Sequence, residues 1–290
     1  MARQRKHLMH YPEGADQRLL KRLHTKALAA REKDIKQEHG AFLQRAKLRA
    51  DLSATIKGSV AIDTKRVVDA WRGKRQRTRE LYARPRGRGF KPLKGHNPAR
   101  YAPFDVSWQY QQCGSIVLCN LYGPQASSGE IGADLLSIGG LTGATAASAV
   151  GFWYFAQQYT ELLVTAQVLM WAARGYIASI LGGFGLGHAE AYASLRLYVK
   201  EYSAAGPAYS STVELYNHAS GFWPDFNLNV MDDQTRTVDI AIPVQPGTWY
   251  LIWIEAIQHV FAAEPLLDDA LSNFQMYVGP VSYSEYTFRE

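Results

Sequence analysis

Few residues in this 290-residue chain stand at spacings that do chemistry. Gly182-Gly-Phe-Gly-Leu-Gly187 has the glycine density of a phosphate-cradling loop. A dinucleotide fingerprint needs a third glycine three places after the second, at a strand-to-helix turn. Counting from Gly183 and Gly185, that place holds His188, and no Lys-Ser/Thr pair follows to make a P-loop. The segment reads as a flexible turn between strands. His188-Ala-Glu190 has the His-x-Glu of a zinc deaminase, but that metal site needs a downstream Pro-Cys-x-x-Cys, and Cys113 and Cys119 both lie upstream. Asp225 to Arg236 begins like a calcium loop, yet Val230 stands where the sharp turn needs glycine and Arg236 where the bidentate glutamate belongs. It reads better as a strand, with Phe226, Leu228 and Val230 inward and Asp225, Asn227 and Asn229 in solvent. That leaves only opportunistic calcium at Asp232-Asp233. His7 and His10 have no fixed third ligand. No nucleophile elbow is present, so a Ser/His/Asp set would have to assemble in space. The expectation is a chain without cofactor or metal.

The strongest chemical signal is charge. Between Arg72 and Lys94 the chain carries Arg72, Lys74, Arg75, Arg77, Arg79, Arg84, Arg86, Arg88, Lys91 and Lys94, opposed only by Glu80. Guanidinium forks, glycines and the aromatic faces of Tyr82 and Phe90 are the means by which extended arms hold nucleic acid. Phosphate neutralisation would dominate, making binding non-specific and salt-sensitive. The same run also suits docking on an acidic surface, including the rest of this chain or a neighbouring copy, or simple solvation as a linker. Residues 1–100 hold 27 Lys/Arg against 9 Asp/Glu, a balance of +18. Residues 101–290 hold 5 against 17, a balance of −12. Such asymmetry marks a basic arm that meets nucleic acid, an anionic surface or an acidic protein.

The elements that must carry this charge change character along the chain. From Asp16, a plausible N-cap, the apolar residues Leu20, Leu23, Ala27 and Ala30 recur at helical steps. His39-Gly40 reads as a helix end, followed by a second stripe at Leu48, Leu52 and Ile56 and a third face at Val67, Val68 and Trp71. Residues 1–83 are thus a basic arm of two or three helices, too thinly apolar to form a private core. Pro85, Gly87, Gly89, Pro92, Gly95 and Pro98 break any regular element, so 84–103 is a linker.

From about Phe104 the period becomes two. Leu195, Leu197 and Val199 alternate with Arg196, Tyr198 and Lys200. Val238, Ile240 and Ile242 alternate with Asp239 and Ala241, and Val213 and Leu215 with Glu214 and Tyr216. Gln245-Pro-Gly-Thr248 is a turn before the β-rich run 249–257. Further strands are expected at 115–122, 149–157, 161–174, 188–202, 224–231 and 273–283, with a short helix or loop at 268–272. The domain 104–290 is therefore mainly β, an antiparallel β-sandwich of jelly-roll-like form preceded by a basic α-helical arm. About half of Trp153, Tyr154, Trp171, Trp249, Tyr250 and Trp253 should be buried, and the outward half could stack on sugars or form a subunit interface.

Six extended steps between Cys113 and Cys119 span roughly 20 Å, beyond disulfide reach, so both are expected as buried free thiols. The charged N-terminus lacks the apolar run of a secretory signal, which suggests a cytoplasmic or particle-assembled protein. Leu135 to Thr160 carries no charge and is long enough to span a bilayer, but its small residues suit a loop or strand edge, and no membrane is expected. A basic arm followed by a jelly roll resembles in layout many small virus coat proteins, an analogy of architecture with no coat-protein motif matched. The layout implies a non-enzymatic, oligomeric structural protein whose arm binds nucleic acid or another polyanion. The alternatives are a glycan- or surface-binding sandwich anchored by its arm, and an enzyme with a spatially assembled site.

Overall fold

The computed structural model describes residues 8–9, 16–57, 102–114, 117–121, 123–138, 142–157, 160–179, 188–202, 208–220, 225–263 and 270–288. The elements in chain order are β1 (Leu8–Met9), α1 (Gln17–Lys57), β2 (Val106–Cys113), β3 (Val117–Leu121), β4 (Ile131–Ile138), β5 (Thr142–Phe155), β6 (Thr160–Ser179), β7 (His188–Glu201), β8 (Ala208–Ala219), β9 (Asp225–Val230), β10 (Gln234–Val244), β11 (Trp249–Ala263) and β12 (Ala270–Phe288). Every strand pairing is antiparallel. One sheet has the order β1-β2-β5-β11-β7-β8. The other runs β10-β6-β12-β4-β3, with β9 beside the far half of β6. The described residues form an antiparallel β-sandwich with one N-terminal helix.

Strand alternation assigns the layers. In β11 the even residues Tyr250, Ile252, Ile254, Ala256 and Val260 point between the sheets and join the main core. The odd residues Leu251, Trp253 and Ile257 point the other way, with Trp108, Trp153, Ala147 and Ala149 of the same sheet. That outer face would leave three tryptophans in water, and α1 covers it through Leu20, Leu28 and Ile35. Fully burying a large apolar side chain is worth about 1.5–3 kcal/mol, so the helix and this face need each other. The result is three layers: α1, the β5–β11–β7 sheet, and the β6–β12 sheet.

Asp16 caps α1 as expected, its Oδ1 accepting the N–H groups of Arg18 and Leu19 at 3.0 and 3.1 Å. His39-Gly40 does not end the helix, which runs unbroken to Lys57. A Cβ at Gly40 would meet nothing within 4 Å, so that glycine faces open space, while His39 turns inward among buried partners. The inward stripe is Leu20, His24, Arg31, Ile35, His39, Phe42, Ala46 and Ala50. Ala30 and Leu48, expected inside, are exposed. Leu52, Ile56 and the faces expected at 58–83, like the linker to 101, lie outside the residues whose side chains are described.

In the sandwich, the alternation expected in β7 and β10 is present. The Gln245–Thr248 turn has Gly247 at φ 75° and carries the chain from one sheet to the other. A bulge in β8 turns both Leu215 and Tyr216 inward. Gly175 makes room for the Tyr216 ring, since a Cβ there would stand 2.8 Å from it.

Three expectations are corrected. Cys113 and Cys119 form a disulfide with Cα atoms 6.5 Å apart. They end β2 in one sheet and sit within β3 in the other, so the chain folds back between them rather than running extended. In β9 the faces are reversed: Leu228 and Val230 are exposed, at 40% and 37%. Asn227 accepts the Tyr216 hydroxyl proton at 2.9 Å, which satisfies a polar group on the inward side. Residues 270–272 already belong to β12, with no helix there. The uncharged stretch from Leu135 forms the end of β4 and then β5, and among the described residues no helix is long and apolar enough to cross a membrane.

Candidate functional site

Arg72, Lys74, Arg75, Arg77, Arg79, Arg84, Arg86, Arg88, Lys91 and Lys94 all lie outside the described residues, as do Gly182–Gly187, His7 and His10. The densest described concentration of functional side chains is the seam between α1 and the sheet beneath it.

At its centre, Arg31 donates from Nε to both oxygens of Glu255 at 3.1 Å and from Nη2 to Oε1 at 2.7 Å. Arg31 Nη1 and Arg196 Nη1 both donate to Glu38 Oε1, at 3.1 and 2.8 Å. Trp253 Nε1 donates to Glu255 Oε2 at 3.2 Å. Two arginines and two carboxylates thus alternate, with hydrogen bonds that offset their desolvation. Burial alone would lower the Arg31 pKa, but the charge and hydrogen bonds of Glu255, with those of Glu38, raise it. Burial pushes Glu38 up, while the hydrogen bond from Arg196 and the charge of Arg31 hold it below its usual range. Tyr198 stacks on Trp253 at 4.3 Å, and burial raises its phenol.

Two turns further along α1, Thr145 Oγ1 lies 2.5 Å from His39 Nδ1 and 2.6 Å from His259 Nδ1. Phe42 and Tyr192 stack on His259 at 5.2 and 5.8 Å. Burial lowers His39 to about 4. Burial and then the nearby His39 lower His259 to about 3. Both imidazoles are therefore neutral near pH 7. Gly143 admits the helix closely, since a Cβ there would lie 2.6 Å from Leu43 Cδ2.

At the far end, Arg49 Nη1 donates to Glu190 Oε1 at 2.9 Å. His188 Nε2 is 3.5 Å from Glu190 Oε2, and His188 Nδ1 is 3.1 Å from Ser220 Oγ. A serine, a histidine and a carboxylate do meet in space here. The Ser220 oxygen is held by the Ala189 N–H at 2.9 Å, and Ser220 N donates to Ala189 O at 2.8 Å. All three side chains are buried. The trio closes the end of the β7–β8 ladder.

Asp232, suggested for calcium, instead accepts Arg174 Nε at 2.9 and 2.8 Å and also binds Arg174 Nη2. Among the described residues no group of three His, Cys, Asp or Glu side chains could hold a metal. Of the six aromatics singled out, Trp153, Tyr250 and Trp253 are buried, and Tyr154, Trp171 and Trp249 are half-buried. Among the described residues the exposed aromatic is Phe155, 41% exposed and 4.9 Å from Trp249.

No family model matches the chain, and no curated protein matches it. Among solved structures, it is similar over 59% of its length to the enzymatically active domain of a bacteriophage CBA120 tailspike protein, with 11% identity and a TM-score of 0.18, and spans 19% of that chain. A family 11 carbohydrate-binding module of a Clostridium thermocellum cellulosomal cellulase matches over 67% of this chain and 95% of its own, at 10% identity and TM-score 0.18. An infectious bursal disease virus structure matches over 67% and 46%, at 12% identity and TM-score 0.12. Superpositions this shallow transfer no function to the chain.

Proposed function

We propose that the chain is a non-enzymatic structural or assembly subunit whose basic N-terminal part contacts nucleic acid or a similar polyanion and whose β-sandwich makes subunit contacts. The supporting observation is the segregation of charge. Residues 1–100 carry a balance of +18 and the rest −12, and within the sandwich Arg174 and Arg196 are tied to Asp232 and Glu38. Available positive charge is therefore concentrated in the N-terminal part, where a polyanion would be met by counterion release. The test is purification of the full-length chain with sizing and absorbance. Large particles, or co-purifying nucleic acid released by high salt, support the proposal. A small species free of nucleic acid at low salt overturns it.

A second reading follows from the exposed Phe155 beside Trp249: a sandwich that binds a glycan on an aromatic platform. Glycan binding that is lost in Phe155→Ala, with the fold retained, would favour it over the first.

A further inference from the structure

The 41 residues of α1 divide their charge by face. At 3.6 residues per turn, successive residues are rotated by about 100°. Taking Ile35 as the centre of the docked side, Leu20, His24, Arg31, His39, Phe42, Ala46 and Ala50 all fall within about 60° of it. On the same projection Arg18, Arg22, Lys26, Lys33 and Lys47 fall within one sector about 80° wide, centred about 140° away. All five are exposed, and no ion pair among the described residues engages them. Lys36 falls in the same sector but is paired to Glu32 at 3.1 Å. The only carboxylate in the sector among the described residues of α1 is Asp51, beyond the row's C-terminal end.

The segregation has a physical cause. Cations on the inner side are neutralised by the sheet, Arg31 by Glu255 and Arg49 by Glu190. Among the described residues the outer cations have no such partner, and they run along one continuous helix packed on the sheet. From Arg18 to Lys47 the row is about 44 Å long, with Arg18, Arg22 and Lys26 at steps of about 6 Å.

We infer that this row is a docking rail for the phosphate backbone of duplex DNA. The sector contains no aromatic residue on which an unpaired base could stack, which disfavours a single strand. A row of cations fixed on one unbroken helix matches a stiff duplex, whose persistence length is about 50 nm and whose charge density is about one per 1.7 Å. Contact is with phosphates alone and carries no base specificity. The inference rests on the polyanion-binding reading above and adds to it a second, helical site separate from residues 72–94.

The test is fluorescence anisotropy of the full-length protein with a duplex of about 20 base pairs, longer than the roughly 13 that the row can cover at 3.4 Å per pair. Three proteins are compared: wild type, the triple variant Arg22→Glu/Lys26→Glu/Lys33→Glu, and a variant with the ten cations of 72–94 changed to Gln. Expected is a loss of more than about tenfold in affinity for the triple variant, with the log K against log salt slope shallower by about 2.7. The 72–94 variant should retain binding that the triple change then removes. Arg22→Gln/Lys26→Gln/Lys33→Gln, read with circular dichroism and sizing, decides the matter if charge reversal impairs folding. Wild-type affinity and slope in the Gln variant would overturn the rail while leaving the 72–94 site standing. Wild type that binds single-stranded nucleic acid or heparin but not duplex DNA overturns the rail alone, and wild type that binds none of these overturns both. A triple variant that loses heparin or anionic vesicles but keeps duplex DNA also overturns the proposal.

Discussion

Arg31 and Glu255, separated by 224 positions in sequence, meet at 2.7 Å with 3% and 0% of their side chains exposed. The first lies mid-helix and the second mid-strand, so this pair ties α1 to the sandwich at the centre of their contact.

Removing one partner leaves the other charge buried without compensation. Arg31→Leu or Glu255→Leu should each cost about 3–5 kcal/mol, and the double variant less than the sum. Chemical denaturation of the four proteins measures the coupling. Additive losses would show that the pair is energetically idle.

The buried histidines predict a pH dependence. His39 and His259 have folded pKa values below the ordinary 6.5, at about 4 and about 3. Unfolding therefore takes up protons below pH 6.5, so their stabilising effect is complete above that pH and is lost as pH falls towards the folded values. Glu38, also lowered, loses its contribution only below the usual carboxylate range near 4.5. Between pH 6 and 5 the histidines should approach a slope of about 2.7 kcal/mol per pH unit, and His39→Gln should halve it. A flat urea midpoint across this window would contradict the assignment.

The Cys113–Cys119 bond closes a short loop of sequence separation six. Chain-entropy estimates give about 2 kcal/mol for a loop of that size. Cys113→Ser/Cys119→Ser should lower stability by about that amount, and intact mass before and after reduction should differ by two hydrogens. An unchanged mass on reduction would show free thiols instead.

Gly151 tolerates no side chain. A Cβ there would stand 2.1 Å from Ile252 O and 2.6 Å from Trp253 Cβ, both on the paired strand. Gly151→Ala should destabilise at least as much as typical core overpacking, about 1–3 kcal/mol or more. Gly40→Ala, in open space on α1, should instead stabilise by up to about 1 kcal/mol. Thermal unfolding of the two variants in parallel checks the contrast.

Much of the sandwich was legible because half-buried strands write their faces into alternation, as Leu195, Leu197 and Val199 do. Asp16 announced the helix start for an equally local reason. The seam was not legible. Arg31, His24 and His39 are buried at helical spacing, but a polar residue at an inward position has the same composition as one in solvent, and only its distant partner neutralises it. The same limit applied to the disulfide, which depends on where the chain turns between sheets, and to β9, where one polar contact to Asn227 reversed the faces. His188 and Glu190 were visible as a motif, but Ser220 was not, since nothing local links it to them.

Thr145 has one hydroxyl hydrogen and stands between two ring nitrogens, each within 2.6 Å. It can give that hydrogen to one imidazole only and must receive one from the other. His39 and His259 are therefore locked in opposite tautomers, one protonated at Nδ1 and the other at Nε2. Neither can change without the hydroxyl reversing and the second ring exchanging as well, so the three side chains store a single binary proton arrangement. Nitrogen chemical shifts of the two rings would read it out as one pair of unlike signals.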